Sequence, residues 1–282
     1  LPSVPHGPPP LTVALAWTDA WAQPDALTAC EALLSPAERA RQARFRRPAD
    51  RRTYAIAHAL LRRSLSRLAR DAGADVAPSA WRFRAGPWGK PELAAPEVPA
   101  LPHVAFNLSH APGLTACAVQ RQDESTAHEP QAPGVGVDVE FVERVADPGA
   151  LGRRFFAPPE AAWLPADPAD PRFPEVRRRF FTLWTLKEAY VKARGLGFHL
   201  PLSRFTVGGA GELPLTAPAP GVQLALAGPE DLRVEAPPAV DPAPARWALT
   251  LTAVGPRHLL ATCAPRAPDG APPPVRLTTD EP

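Results

Sequence analysis

The chain of 282 residues contains no methionine, only three lysines and only three cysteines. Cys30, Cys117 and Cys263 are far apart and odd in number. Their spacing excludes a zinc knuckle and a disulfide framework, and leaves packing thiols in a reducing compartment. No apolar run approaches the roughly 18 residues of a membrane span. The first ten residues are rich in proline and lack a basic segment followed by an apolar one, so no signal peptide is visible. The expectation is a soluble, cytoplasmic protein with no membrane partner. A net charge of +2 gives no bulk attraction for nucleic acid. Phosphate loops, dinucleotide fingerprints and nucleophile elbows are also missing.

The scarcity of lysine marks positions. Arginine is the default cation, yet Lys187 and Lys192 share one helical stretch and Lys90 sits in Gly89-Lys90-Pro91. Charge is uneven as well: residues 36 to 70 hold eleven arginines against Glu38 and Asp50. Such a face suits a phosphorylated ligand or an acidic partner, or is a solvated helix surface.

The length allows one large domain or two small ones. The forty prolines cluster at the ends and in connections. A loose leader over 1–10 precedes an alternating strand, Leu11 to Trp17. Ser35-Pro36-Ala37-Glu38 predicts a capped helix start, with Ser35 and Glu38 as a capping box. A helix to about Phe45 and a longer one from Asp50 to about Arg70 follow. Trp81 to Lys90 suits a short strand and a turn; Val104 to Leu108 and Leu114 to Val119 suit a hairpin, with Ser109-His110 just past the first strand. The polar, aperiodic stretch from Gln120 to Pro133 reads as an exposed insert. Val135 to Val142 is an apolar strand, Glu160 to Leu164 a short helix and Arg177 to Arg194 a long one. Phe205 to Val207, Val222 to Ala227, Trp247 to Val254 and Leu259 to Cys263 suggest an antiparallel sheet. The proline-rich tail, 265–282, reads as mobile.

Leu33-Leu34-Ser35-Pro36-Ala37-Glu38 is echoed by Phe155-Phe156-Ala157-Pro158-Pro159-Glu160, each ahead of an Arg-Arg pair that opens a long helix. If the echo is a repeat, the chain is α+β: two similar halves in a pseudo-twofold arrangement, each a small antiparallel sheet with a long helix. The halves would span 11–119 and 135–264, with an insert or linker over 120–134.

Two motifs carry acids. In Gly136-Val137-Asp138-Val139-Glu140, side chains two apart face the same way, so Asp138 and Glu140 project together from an apolar strand. Buried, they would repel and lose hydration, and a divalent cation with a preference for hard oxygen, such as magnesium, resolves both costs. The competing reading is an edge strand with both acids in water. In Trp184-Thr185-Leu186-Lys187-Glu188-Ala189-Tyr190-Val191-Lys192-Ala193-Arg194-Gly195, Glu188 and Lys192 are four apart on one helix face, either a surface ion pair or a third metal ligand beside a phosphate-binding lysine. Gly195 can end that helix in a left-handed residue. Ser109 and His110, in Phe106-Asn107-Leu108-Ser109-His110, offer donors for phosphate oxygens. Lys90 is an anion ligand or an exposed turn residue.

Taken in order, GKP, FNLSH, GVDVE and WTLKEAYVKARG resemble the 4'-phosphopantetheinyl transferases, in particular their longer, pseudodimeric, surfactin-synthetase-activating class. The resemblance covers about Leu11 to Phe205. It implies magnesium-dependent transfer of the 4'-phosphopantetheine arm of coenzyme A to a serine of an apo acyl or peptidyl carrier protein, releasing 3',5'-ADP, by a monomer. It implies Asp138, Glu140 and Glu188 as magnesium ligands, and Glu188 and Lys192 as the catalytic pair. Arg41, Arg52, Lys90, Ser109, His110, Asp138 and Lys192 would face the coenzyme A substrate. The family's second arginine aligns at Thr53, so Arg52 stands in as its neighbour. A magnesium-dependent phosphohydrolase and a non-catalytic coenzyme A-binding module are the alternatives.

Overall fold

A computed structural model describes residues 8–86, 91–122, 134–143, 147–164, 173–214 and 217–282. Lys90, residues 1–7 of the expected leader and residues 123–133 of the expected insert lie outside them. The chain is α+β and divides into two compact units, one of Pro9–Val135 with Pro274–Pro282, the other of Gly136–Pro273.

The first unit begins with β1 (Leu11–Trp17), which turns Ala14 and Ala16 to the core under α4 and has Leu11, Val13 and Leu15 fully buried on its other face. Short helices α1 (Thr18–Trp21) and α2 (Pro24–Ala32) lead to α3 (Pro36–Ala43). The predicted capping box is present: Ser35 Oγ accepts from the Glu38 amide and Glu38 Oε2 accepts from the Ser35 amide at 2.7 Å. Helix α4 (Pro48–Asp71) opens on a proline, whose missing N–H costs nothing in a first turn. It buries Ile56, Leu60, Leu61 and Leu65 against the sheet, a stripe at helical spacing. The hairpin β2 (Arg82–Ala85) and β3 (Pro91–Ala95) stands apart as a two-stranded sheet. Strands β4 (Val104–Ala111) and β5 (Leu114–Arg121) form the expected hairpin. Both run further than the sequence suggests. Ser109 and His110 therefore lie within β4, and Gln120 and Arg121, assigned to the insert, belong to β5.

The second unit has β6 (Gly136–Phe141), α5 (Pro148–Phe155), α6 (Pro158–Ala161), α7 (Phe173–Arg194), β7 (Thr206–Gly208), β8 (Gln223–Ala227), β9 (Arg233–Glu235), β10 (Trp247–Val254) and β11 (His258–Pro265). Strands β6-β11-β10-β8 make an antiparallel four-stranded sheet, and β7-β9 a small separate one. Helix α7 packs on β6, β11 and β10 with Phe181, Leu183, Leu186, Ala189 and Tyr190 fully buried. Gly195, at φ +67°, ends it as expected.

Two expectations are corrected. The tail is not mobile beyond Pro274: β12 (Val275–Thr279) pairs in parallel with β1, giving the order β12-β1-β5-β4, so this sheet is mixed rather than antiparallel. The reason is chemical. Val-Arg-Leu-Thr-Thr alternates and is rich in β-branched residues. Asp280 beyond it is buried, its amide donates to Leu15 O at 2.7 Å, and its carboxylate is held by Arg63 and Arg67. The leader is also held at its end, where Gln120 Nε2 donates to Pro9 O at 2.8 Å. All three cysteines are buried and free, as expected of packing thiols. Among the described residues no helix is long and apolar enough to cross a membrane.

Candidate functional site

The site is built on β6, an edge strand of its sheet that is nevertheless buried because α7 covers it. Gly136, Asp138 and Glu140 share the alternating face. That face is turned toward α7: a Cβ on Gly136 would stand 1.9 Å from Ala189 O and 2.7 Å from Ala193 N. Glycine is what lets strand and helix backbones touch. Asp138 is 4% exposed and Glu140 7%, so the reading with both acids in water is excluded.

Lys192 reaches across from α7. Its Nζ donates to Asp138 Oδ1 at 2.7 Å and to Val137 O at 3.2 Å. The lysine is thus an ion-pair partner of the strand acid, not a pendant surface group. Glu188, one turn earlier, is half-buried. Burial raises its carboxyl pKa above the usual range, the negative charge of Asp138 raises it further, and Lys192 partly offsets both. Glu188 and Asp138 therefore feel each other across the strand–helix contact. The arrangement concentrates acid where water is scarce, at an electrostatic cost that a cation removes.

In chemistry alone the three carboxylates Asp138, Glu140 and Glu188 are hard-oxygen donors of the kind that suits magnesium, two of them buried, with the Lys192 ammonium paired to Asp138. Among the described residues no three His, Cys, Asp or Glu side chains stand close enough to hold a metal, and Asp138 Oδ1 is taken by the Lys192 ammonium.

A residue to which the sequence reading gave no role anchors this geometry. Lys187 is 0% exposed, and its three ammonium donors are all used, on Glu160 Oε2 at 2.7 Å, on Leu202 O at 2.8 Å and on Phe205 O. Its Nζ also lies 4.2 Å from the Phe205 ring centre. Glu160 takes the Val207 amide on its other oxygen at 2.9 Å. Burial pushes Lys187 down and Glu160 up, and each partly offsets the other. The pair fixes the rotation of α7 one residue before Glu188. The available signal was a lysine in an arginine-rich chain.

Gly136→Ala tests the close approach. The clash is with backbone, which cannot swing aside, so α7 must move off β6. We expect a loss of about 1–3 kcal/mol in urea unfolding and a weaker Lys192–Asp138 contact; an unchanged unfolding midpoint would mean that the helix has room to spare.

The other expected site residues belong to the first unit. Arg41, in the last turn of α3, and Arg52, early in α4, are exposed. Ser109 is buried and His110 exposed, on opposite faces of β4, so the strand does not aim both at one ligand. Lys90 lies outside the described residues.

Comparison with known proteins gives one coherent answer. The 4'-phosphopantetheinyl transferase superfamily matches residues 134–216, the segment carrying β6, α7 and Lys187. A 4'-phosphopantetheinyl transferase of Bacillus subtilis is 33% identical over 43% of this chain and 46% of its own length. HetI, a 4'-phosphopantetheinyl transferase of Nostoc sp., is 32% identical over 67% of this chain and 73% of its own. Sfp, a 4'-phosphopantetheinyl transferase of Bacillus subtilis strain 168, is 29% identical over 62% and 66%. The chain thus spans less than half the length of the first of these relatives and close to three quarters of the second.

Proposed function

The chain belongs to the 4'-phosphopantetheinyl transferase superfamily, a family of enzymes, and on that premise we propose that it moves the 4'-phosphopantetheine arm of coenzyme A to a serine of an apo acyl or peptidyl carrier protein. The observation that supports the reading is the meeting of β6 and α7: Asp138 and Glu140 are buried on one strand face, Lys192 of the helix pairs with Asp138, and Glu188 feels the Asp138 charge.

In the proposed reaction the serine Oγ attacks the phosphorus that bears the pantetheine arm. The bond from that phosphorus to the bridging oxygen breaks, and 3',5'-ADP leaves with the electron pair. Glu188, directly or through a metal-bound water, takes the serine proton. Lys192, with Nζ at the edge of the acid cluster, shares in neutralising the leaving oxygen. A magnesium ion held by Asp138, Glu140 and Glu188 would supply further charge neutralisation on the diphosphate. Arg41, Arg52, Lys90, Ser109 and His110 are proposed as further coenzyme A ligands. The two halves are proposed to be similar and related by a pseudo-twofold, so that a monomer carries both.

The test is to incubate the protein with coenzyme A, magnesium and an apo carrier, and to weigh the carrier. A gain of one phosphopantetheine arm that chelation of the metal abolishes is expected. Release of phosphate without a gain would make it a phosphohydrolase; coenzyme A binding with neither would make it a binding module. Lys192→Ala is expected to slow transfer by at least about tenfold, and an unaffected rate would return Lys192 to a purely structural ion pair.

A further inference from the structure

Each unit sets a helix-start glutamate, which accepts the amide three residues before it, against a buried cation of its long helix. Glu38 takes Arg62 Nη2 at 2.7 Å, and Glu160 takes Lys187 Nζ at 2.7 Å. Arg62 and Lys187 are each the fifteenth residue of α4 and α7. In that register Glu188 falls on Arg63 and Lys192 on Arg67. The strands agree independently. Both sheets run from the first strand through the second hairpin strand to the first, β1-β5-β4 and β6-β11-β10. The fourth residue of β11, Ala261, opposes Asp138, and the fourth of β5, Cys117, opposes Ala14. By the same count Glu140 falls on Ala16 and Gly136 on Thr12.

The first unit therefore holds the counterpart of the acid site with its charge reversed. Alanines replace both strand acids, and arginines replace the helix glutamate and lysine. Three of the counterpart positions, Thr12, Ala14 and Arg67, line a cavity of about 350 Å³ together with Arg70, Arg276 and Asp280. Asp280 enters from the C-terminal segment and binds Arg67 with one oxygen and Arg63 with the other, at 3.2 Å. Asp71 also lines the cavity, so three arginines, Arg67, Arg70 and Arg276, stand there with two carboxylates, one of which is already shared with Arg63 outside the lining.

We propose that this cavity is a second anion site, which takes a small phosphate-bearing anion of diphosphate size without a metal. Deleting the acids removes the reason for a cation and leaves a floor with room. Arg70 and Arg276 are exposed side chains whose planar forks match phosphate oxygens in pairs. Asp280 is the internal carboxylate that neutralises the arginines on the helix side.

Inorganic diphosphate is the probe, titrated calorimetrically into the full chain at low salt without magnesium. Two sites are expected in the natural protein. The double variant Arg70→Gln/Arg276→Gln changes only exposed residues and should keep one site, lose the other by at least tenfold in affinity, and leave basal transfer unchanged. Lys192→Ala should also keep one site, the arginine-dependent one. A single site in the natural protein that Lys192→Ala abolishes, or binding unaltered by the double variant, would overturn the proposal. Arginine-dependent binding that persists in a chain without transferase activity would uphold this site while refuting the function proposed above.

Discussion

Replacing Asp138 by alanine is expected to lower transfer by roughly 10²- to 10³-fold or more while the protein stays folded. The asymmetry follows from the surroundings of this carboxylate. Asp138 is 4% exposed and lies against Glu188, whose pKa it raises, so part of its effect on the folded state is repulsive. Its attractive partner, Lys192, has a side chain 27% exposed and can turn to water when the acid is gone. Loss of stability should therefore be small, with Tm within about 4 °C of the natural protein. Activity has no such compensation, since Asp138 is both a proposed magnesium ligand and the group that fixes the Lys192 ammonium. Carrier mass gain measured beside a thermal melt separates the two effects. Full activity in Asp138→Ala would remove this residue from the proposed metal site.

Much of the fold and of the candidate site was legible in the sequence, and the parts that were not have identifiable causes. The strand β1, the capping box at Ser35 and Glu38, the hairpin β4–β5 and the helix ending at Gly195 follow from periodicity and local hydrogen bonding, which short stretches encode by themselves. The shared face of Asp138 and Glu140 follows from strand geometry. That this face is buried does not, because an edge strand is wet or dry according to what lies over it, and α7 arrives from distant sequence. The C-terminal strand was hidden for a related reason. Its prolines argued for a loose tail, whereas Asp280 is held by Arg63 and Arg67, more than two hundred residues away. Of the echoed segments, Glu38 and Glu160 each hold a buried cation of a long helix, whereas the Arg-Arg pairs stand two residues apart when counted from Arg62 and Lys187.

Lys187→Met should be the most destabilising single change proposed for this chain. The substitution keeps a similar length and removes the ammonium, which leaves Glu160 at 1% exposure without its cation. The Leu202 and Phe205 carbonyls also lose their shared donor. Breaking a buried pair from one side costs about 3–5 kcal/mol, because the remaining charge has neither water nor partner. Urea unfolding should report that loss. The double variant Lys187→Met/Glu160→Gln should be less destabilised than Lys187→Met alone, since the neutral amide oxygen can still accept from the Val207 amide. Transfer should follow the folded geometry: Lys187 sits next to Glu188 in α7, so a helix freed to rotate would carry Glu188 and Lys192 off Asp138. A Lys187→Met protein with natural stability would show that the buried pair contributes nothing net, and that α7 is held by its aromatic and aliphatic packing alone.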